Sequence, residues 1–237
     1  MRRKESRLIV ALDVENITRA KRLVNQLQGQ VEIFKIGPYL FTRYGPEVIE
    51  VVQRFNSKVF LDLKLHDIPN TVSNAVRQMV NLKVFMLTVH ISGGIEMMKE
   101  AKEAAEDEAK RLKVRRPLIL GVSLLSSLNS KDLVRINMPA DVDRQVVHLS
   151  RLAKRCKLDG VVLSAREAPL VRRELGKDFI IASAGIRPRE SSRNDQKRVM
   201  TPKQAIDSGC DYIIIGRPII EFNNPTKVVK DIIEEIS

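Results

Sequence analysis

A chain of 237 residues that is 43% hydrophobic and 30% charged, with no low-complexity stretch, has the composition of a globular protein, so intrinsic disorder is excluded as its main character. Its formal charge of +12 is compatible with nucleic acid, an anionic membrane surface or a phosphorylated substrate. Cys156 and Cys210 are too few and too far apart for a disulfide framework or a Cys-rich zinc site, which makes the cytoplasm the expected compartment.

The basic start "MRRKES" leads into "LIVAL", which stops at Asp13 and is too short for a signal-peptide core or a membrane span. The first strand is expected in "LIVALDV" from Leu8, followed by a helix in "ITRAKRLVNQLQ". "VEIFKIG" from Val31 and "KVFLDLKL" from Lys58 are the second and third strands, and "VFMLTVHIS" from Val84 is the fourth. The helix "IEMMKEAKEAAEDEAKRL" then precedes a fifth strand, "LILGVSLL" from Leu118. "GVVLSA" from Gly160, "FIIASAGI" from Phe179 and "YIIIGRPI" from Tyr212 complete the set, and "KVVKDIIEEI" closes the chain as a helix.

These runs are nearly continuous in apolar residues, as parallel strands covered on both faces are. Eight β/α units in one chain predict an α/β fold, a single-domain (β/α)8 TIM barrel over residues 1–237. A doubly wound dinucleotide fold is disfavoured because no GxGxxG follows "LIVALDV". Two gaps are long, 126–160 and 187–212. Within the second, "RPRESSRNDQKRVMTP" lacks an apolar period, and residues 187–200 are expected to be a mobile loop over the barrel mouth.

Basic residues are mostly interleaved with acids, as in "KEAKEAAEDEAKRLKVRR", and Trp is absent. The few Phe and Tyr do not alternate with the basic runs, so neither a nucleic-acid partner nor a membrane partner is expected.

Barrel chemistry sits at the carboxyl ends of the strands, which makes a charge ending an apolar run informative. Asp13 ends the first run, Lys35 lies in the second, and Asp62, Lys64 and Asp67 end the third. Asp62 and Lys64 are two apart on a strand and project to one side, where Asp13 and Lys35 also converge. A structural ion pair, a magnesium site using Asp62 and Asp67, and a catalytic cluster all remain open for this group. Lys64 between the carboxylates competes with a metal, and opposite charges at short range keep each other ionised. His66 and His90 have no pattern that singles them out, and both cysteines are expected to be inert, in packed helical positions. "GIRP" and "IGRPI" fall after strands seven and eight, where barrels bind phosphate; Gly216 permits close approach, and Arg187 and Arg217 supply forked donors.

The blocks "ALDV", "FKIGPYLF", "FLDLKLHDIPNTV", "VHISGG", "NDQKR" and "IIGRPI", in order from Leu8 to about Pro225, resemble the orotidine 5'-phosphate decarboxylase family. The resemblance implies a homodimeric barrel that decarboxylates orotidine 5'-phosphate to UMP, the last step of de novo UMP synthesis, with no metal and no cofactor. It implies Lys64 as proton donor to C6 of the pyrimidine, Asp62 against the substrate carboxylate, and Lys35 and Asp67 completing the charged array. Asp67 and Thr71 would reach the other subunit's site, and Asp13 and Lys35 would hold ribose hydroxyls. Ser123 would meet the pyrimidine edge, and Arg187, Gln196, Gly216 and Arg217 the phosphate, with Gln196 bridging phosphate and base in the closing loop. Two positions depart from the family pattern: Ala184 replaces the usual Pro before Gly185, and Ser123 stands where Thr is frequent. Magnesium-dependent sugar-phosphate barrels share the Asp-x-Lys-x-x-Asp spacing but lack the "HDIPNT" continuation and the "NDQ" loop.

Overall fold

The apolar runs become eight parallel strands that close on themselves in sequence order, with β1 hydrogen-bonded to β8. The computed structural model describes residues 7–188 and 200–237. The strands are β1 (Leu8–Ala11), β2 (Ile33–Ile36), β3 (Lys58–Leu65), β4 (Met86–His90), β5 (Leu118–Val122), β6 (Gly160–Ser164), β7 (Ile180–Ala184) and β8 (Tyr212–Ile215). Helices α1 (Ile17–Leu27), α2 (Pro38–Tyr44), α3 (Glu47–Gln53), α4 (Pro69–Asn81), α5 (Ile95–Leu112), α6 (Ser130–Arg135), α7 (Val142–Arg155), α8 (Ala168–Leu175), α9 (Pro202–Asp207), α10 (Arg217–Ile220) and α11 (Pro225–Glu235) alternate with them.

Several strands are shorter than the apolar runs that announced them. The run "YIIIGRPI" divides at Gly216, after which Pro218, lacking an N–H, sits in the first turn of α10. The long 126–160 gap contains α6, opened by an Asn129–Asp132 capping box, and α7, capped by Asp141.

Strand alternation builds two apolar layers and, at one end, a polar mouth. Val10, Phe34, Leu61, Leu87 and Ile213 face the helices, whereas Ile9, Ala11, Ile33, Phe60, Met86, Tyr212 and Ile214 fill the barrel. Carrying the inward series two residues further reaches Asp13 beyond β1, Lys35 in β2, Asp62 in β3, Thr88 in β4 and Gly216 beyond β8. The period that stacks the interior therefore also delivers the charged side chains to the carboxyl-end mouth.

The opposite rim is held by two similar ion-paired aspartates. Asp159, just before β6, accepts hydrogen bonds from Arg116 at 2.7 and 2.8 Å, from Lys102 at 3.1 Å and from the Ile119 N–H of β5 at 2.8 Å. Asp211, just before β8, accepts from Arg172 at 2.6 Å and from the Ile181 N–H of β7 at 2.8 Å. Each carboxylate thus fastens one strand to the strand before it.

The cysteines are packed as expected but are not within helices: Cys156 follows the last turn of α7, and Cys210 lies between α9 and β8. Burial, reinforced by the neighbouring Asp211 charge, pushes the Cys210 thiol up to about 12, consistent with an unreactive residue. Among the described residues, no helix is long and apolar enough to cross a membrane.

Candidate active site

The mouth holds a continuous row of alternating charges. Lys35 Nζ lies 3.4 Å from Asp13 Oδ1 and 3.6 Å from Asp62 Oδ2, and Lys64 Nζ donates to the same Asp62 oxygen at 2.8 Å. Asp62 and Lys35 are nearly buried, at 7% and 8% exposure, so water screens their attraction weakly. Burial alone would raise the Asp62 carboxyl. The Lys35 and Lys64 charges, with hydrogen bonds from Lys64 and Thr88, outweigh it and hold the group below the ordinary carboxylate value.

Lys64 reaches Asp62 by a route that simple alternation does not describe. The β3–β4 ladder pairs Leu61 with Leu87 and then Leu65 with Val89, so Asp62, Leu63 and Lys64 all lie opposite Thr88. Lys64 takes φ +50°, the left-handed region that a residue with a Cβ adopts at a cost of about 1–2 kcal/mol. The buried Thr88 hydroxyl accepts from the Lys64 N–H at 2.9 Å and donates to Asp62 Oδ1 at 3.0 Å. Sequence reading passed over Thr88; the available signal was a hydroxyl at the inward position after Met86, level with the charged ends of the other strands.

Two glycines give the row its space. A Cβ on Gly37 would stand 3.2 Å from Lys35 Nζ and 3.4 Å from Asp13 Oδ1, and one on Gly216 would stand 3.3 Å from Ala11 Cβ and 3.5 Å from Asp13 Oδ2. Gly216 also precedes Arg217, the first residue of α10, so both residues lie just beyond the carboxyl end of β8. Arg187, beyond β7, is almost fully buried. Its N–H donates to the Met200 carbonyl at 3.0 Å, next to an Ile186–Met200 bridge that fastens together the two described ends of the intervening loop. Gly185 supports the turn out of β7 with φ +78°. Gln196, and most of the expected loop at 187–200, lie outside the described residues.

Other expected site residues stand apart from the row. Asp67 is exposed, its Oδ1 accepting the Ile68 N–H at 2.7 Å, and Thr71 is exposed in the first turn of α4. Ser123 is fully buried, and its hydroxyl donates to the Val162 carbonyl at 3.0 Å, leaving the oxygen to act as an acceptor. His66 and His90 stack with ring centroids 5.2 Å apart, and His90 Nδ1 lies 2.7 Å from Ser92 Oγ. Burial, then the nearby His66 and Lys64 charges, lowers the His90 pKa, which favours a neutral ring. Among the described residues, no three His, Cys, Asp or Glu side chains gather as a metal site.

Comparison with known proteins identifies the family. The family model described as "Orotidine 5'-phosphate decarboxylase / HUMPS family" matches residues 6–232. The chain is 43% identical over 228 residues to an orotidine 5'-phosphate decarboxylase of Actinobacillus succinogenes, covering 96% of this chain and 97% of that one. It is 44% identical over 227 residues to the Pasteurella multocida enzyme of the same name, covering 96% of each. The crystal structure of orotidine 5'-phosphate decarboxylase from Lactobacillus acidophilus superposes with a TM-score of 0.85 at 33% identity, covering 97% of this chain and 98% of that chain.

Proposed function

The chain belongs to the orotidine 5'-phosphate decarboxylase / HUMPS family, and from that footing we propose how its residues divide the work of the reaction. The protein is an orotidine 5'-phosphate decarboxylase, converting orotidine 5'-phosphate to UMP and carbon dioxide in pyrimidine biosynthesis. The roles rest chiefly on one observation: Asp13, Lys35, Asp62 and Lys64 form a single charged row in the barrel mouth, with Asp62 held ionised at its centre.

Breaking the bond from C6 to the carboxylate leaves an electron pair on C6 with no neighbouring electron sink. A positioned cation must stabilise that charge and a proton must reach it. Lys64 serves both needs: its ammonium faces C6, its Nζ–H bond breaks as the C6–H bond forms, and the neutral amine regains a proton from water. Asp62 holds the Lys64 side chain in place through their 2.8 Å contact. Its own negative charge repels the substrate carboxylate, a repulsion relieved when neutral carbon dioxide departs. Lys35 links Asp62 to Asp13 and, with Asp13, holds ribose hydroxyls.

The phosphate is held by Arg187, Arg217 and the backbone at Gly216; Gln196 and the closing loop expected with them lie outside the described residues. Binding energy at this end, remote from C6, helps to hold the substrate carboxylate beside Asp62. Ser123 accepts from the pyrimidine edge. No metal or cofactor has a step in this scheme, because Lys64 provides the cation.

The working form is a cytoplasmic homodimer in which Asp67 and Thr71 complete the partner's site. Both side chains are exposed on their own chain, with Asp67 Oδ1 accepting the Ile68 N–H, which leaves them open to a second subunit. Co-expression of the Lys64→Ala and Asp67→Ala chains checks this arrangement. Each variant alone is expected to be nearly inactive, whereas random pairing leaves one intact site in half of the dimers and restores about a quarter of wild-type turnover. Mixtures as inactive as either parent would place Asp67 in its own chain's site.

A further inference from the structure

We propose that Thr88 is a positioning residue for the decarboxylation, its single hydroxyl fixing both the proton donor Lys64 and the carboxylate Asp62. The inference rests on the roles of Lys64 and Asp62 proposed above and adds what holds those two groups in register.

Three residues of β3 face one residue of β4 at this point, so the backbone ladder cannot continue across the bulge. Thr88 spans it with its side chain. The hydroxyl donates to Asp62 Oδ1 at the first bulged residue and accepts from the Lys64 N–H at the last, so its proton and an acceptor lone pair are both committed. The Lys64 N–H, displaced from a β4 carbonyl by the bulge, therefore keeps a partner although its residue is left-handed at φ +50°. Full burial of Thr88 prevents water from replacing either bond.

Both bonds bear on the reacting end of the site. Fixing Oδ1 stops the Asp62 carboxylate from turning and leaves Oδ2 directed at Lys64 Nζ, 2.8 Å away, and at Lys35 Nζ, 3.6 Å away. Fixing the Lys64 N–H sets the point from which the ammonium stem projects. Neither bond involves Arg217 or Gly216 at the phosphate edge. Loss of Thr88 should consequently affect the chemical step far more than nucleotide binding.

Thr88→Val keeps the branched shape and removes the hydroxyl, while Thr88→Ser keeps the hydroxyl and removes a methyl group. In full-length enzyme, Thr88→Val is expected to lower kcat about 100-fold, the scale of a 1 Å misplacement, with UMP affinity within about threefold of wild type. Thr88→Ser should return kcat to within about tenfold of wild type, because the bridging oxygen is restored. UMP binding and thermal melting report whether Thr88→Val remains folded, and Thr88→Ser supplies the comparison if it does not. The proposal is overturned if Thr88→Val keeps full kcat, if Thr88→Ser is impaired as much as Thr88→Val, or if affinity and kcat fall together. An active Lys64→Ala enzyme would instead overturn the underlying assignment of the proton donor.

Discussion

Lys64→Ala is expected to lower kcat for decarboxylation by at least about 10⁴-fold while leaving UMP bound within about tenfold of wild-type affinity. The size follows from the two duties of one ammonium. General acid catalysis by a positioned group contributes about 10²–10⁴-fold, and a fixed charge aimed at a developing carbanion contributes a comparable factor. Nucleotide affinity should survive because the proposed phosphate contacts are at Arg187, Gly216 and Arg217. Asp62 also remains compensated by Lys35 at 3.6 Å and Thr88 at 3.0 Å, so the vacant lysine position need not collapse the row. Steady-state turnover of orotidine 5'-phosphate and calorimetric titration with UMP separate the two effects. Turnover within tenfold of wild type would remove Lys64 from the chemistry.

Asp159→Ala is expected to cost about 3 kcal/mol of stability and to lower the melting temperature by on the order of 10 °C, with kcat at permissive temperature unchanged. The substitution leaves Arg116 and the largely buried Lys102 without the carboxylate they share and the Ile119 N–H without its side-chain acceptor. Removing one member of such a group costs more than the group contributes as a whole, because the charges left behind stay desolvated. The same carboxylate contributes to acid sensitivity. Burial would raise its pKa, but Arg116, the Ile119 N–H and Lys102 together hold it below the ordinary value. A depressed folded-state pKa means stabilisation that is complete above the ordinary carboxylate range near 4 and is lost as pH falls through the folded-state value. Melting curves taken downward from neutral pH should accordingly show a steeper acid limb for wild type than for Asp159→Ala. Equal melting temperatures at neutral pH would show that the N-terminal rim does not depend on this contact.

Much of the barrel was legible because its signals are periodic and local. Runs such as "LILGVSLL" and "YIIIGRPI" marked strands buried on both faces, although β5 and β8 end within them at Val122 and Ile215, and α5 emerged with both boundaries as read because its acid-rich face alternates cleanly with alanines and methionines. The charged row was legible in composition, since Asp13, Lys35, Asp62 and Lys64 each end or interrupt an apolar run. What holds the row was not. The β3–β4 bulge depends on a ladder register that no single strand encodes, so neither the left-handed Lys64 nor the part played by Thr88 could be read from the third and fourth runs alone. Asp159 and Asp211 went unremarked for a similar reason: an aspartate before a strand resembles a solvated turn until Arg116 and Arg172 arrive from elsewhere in the chain. Asp67 and Thr71 illustrate a different limit: both are exposed on their own chain, and one sequence carries no mark of whether a side chain serves its own site or another subunit's.

The decisive measurement is the loss of orotidine 5'-phosphate absorbance on incubation with purified enzyme after exhaustive chelation, with carbon dioxide release followed in parallel. Substrate loss matched by equimolar carbon dioxide and UMP, at a rate unchanged by added magnesium, is the expected result for a site in which Lys64, rather than a metal ion, faces the reacting carbon. An inactive chelated enzyme, or one that turns over only when magnesium is returned, would contradict it.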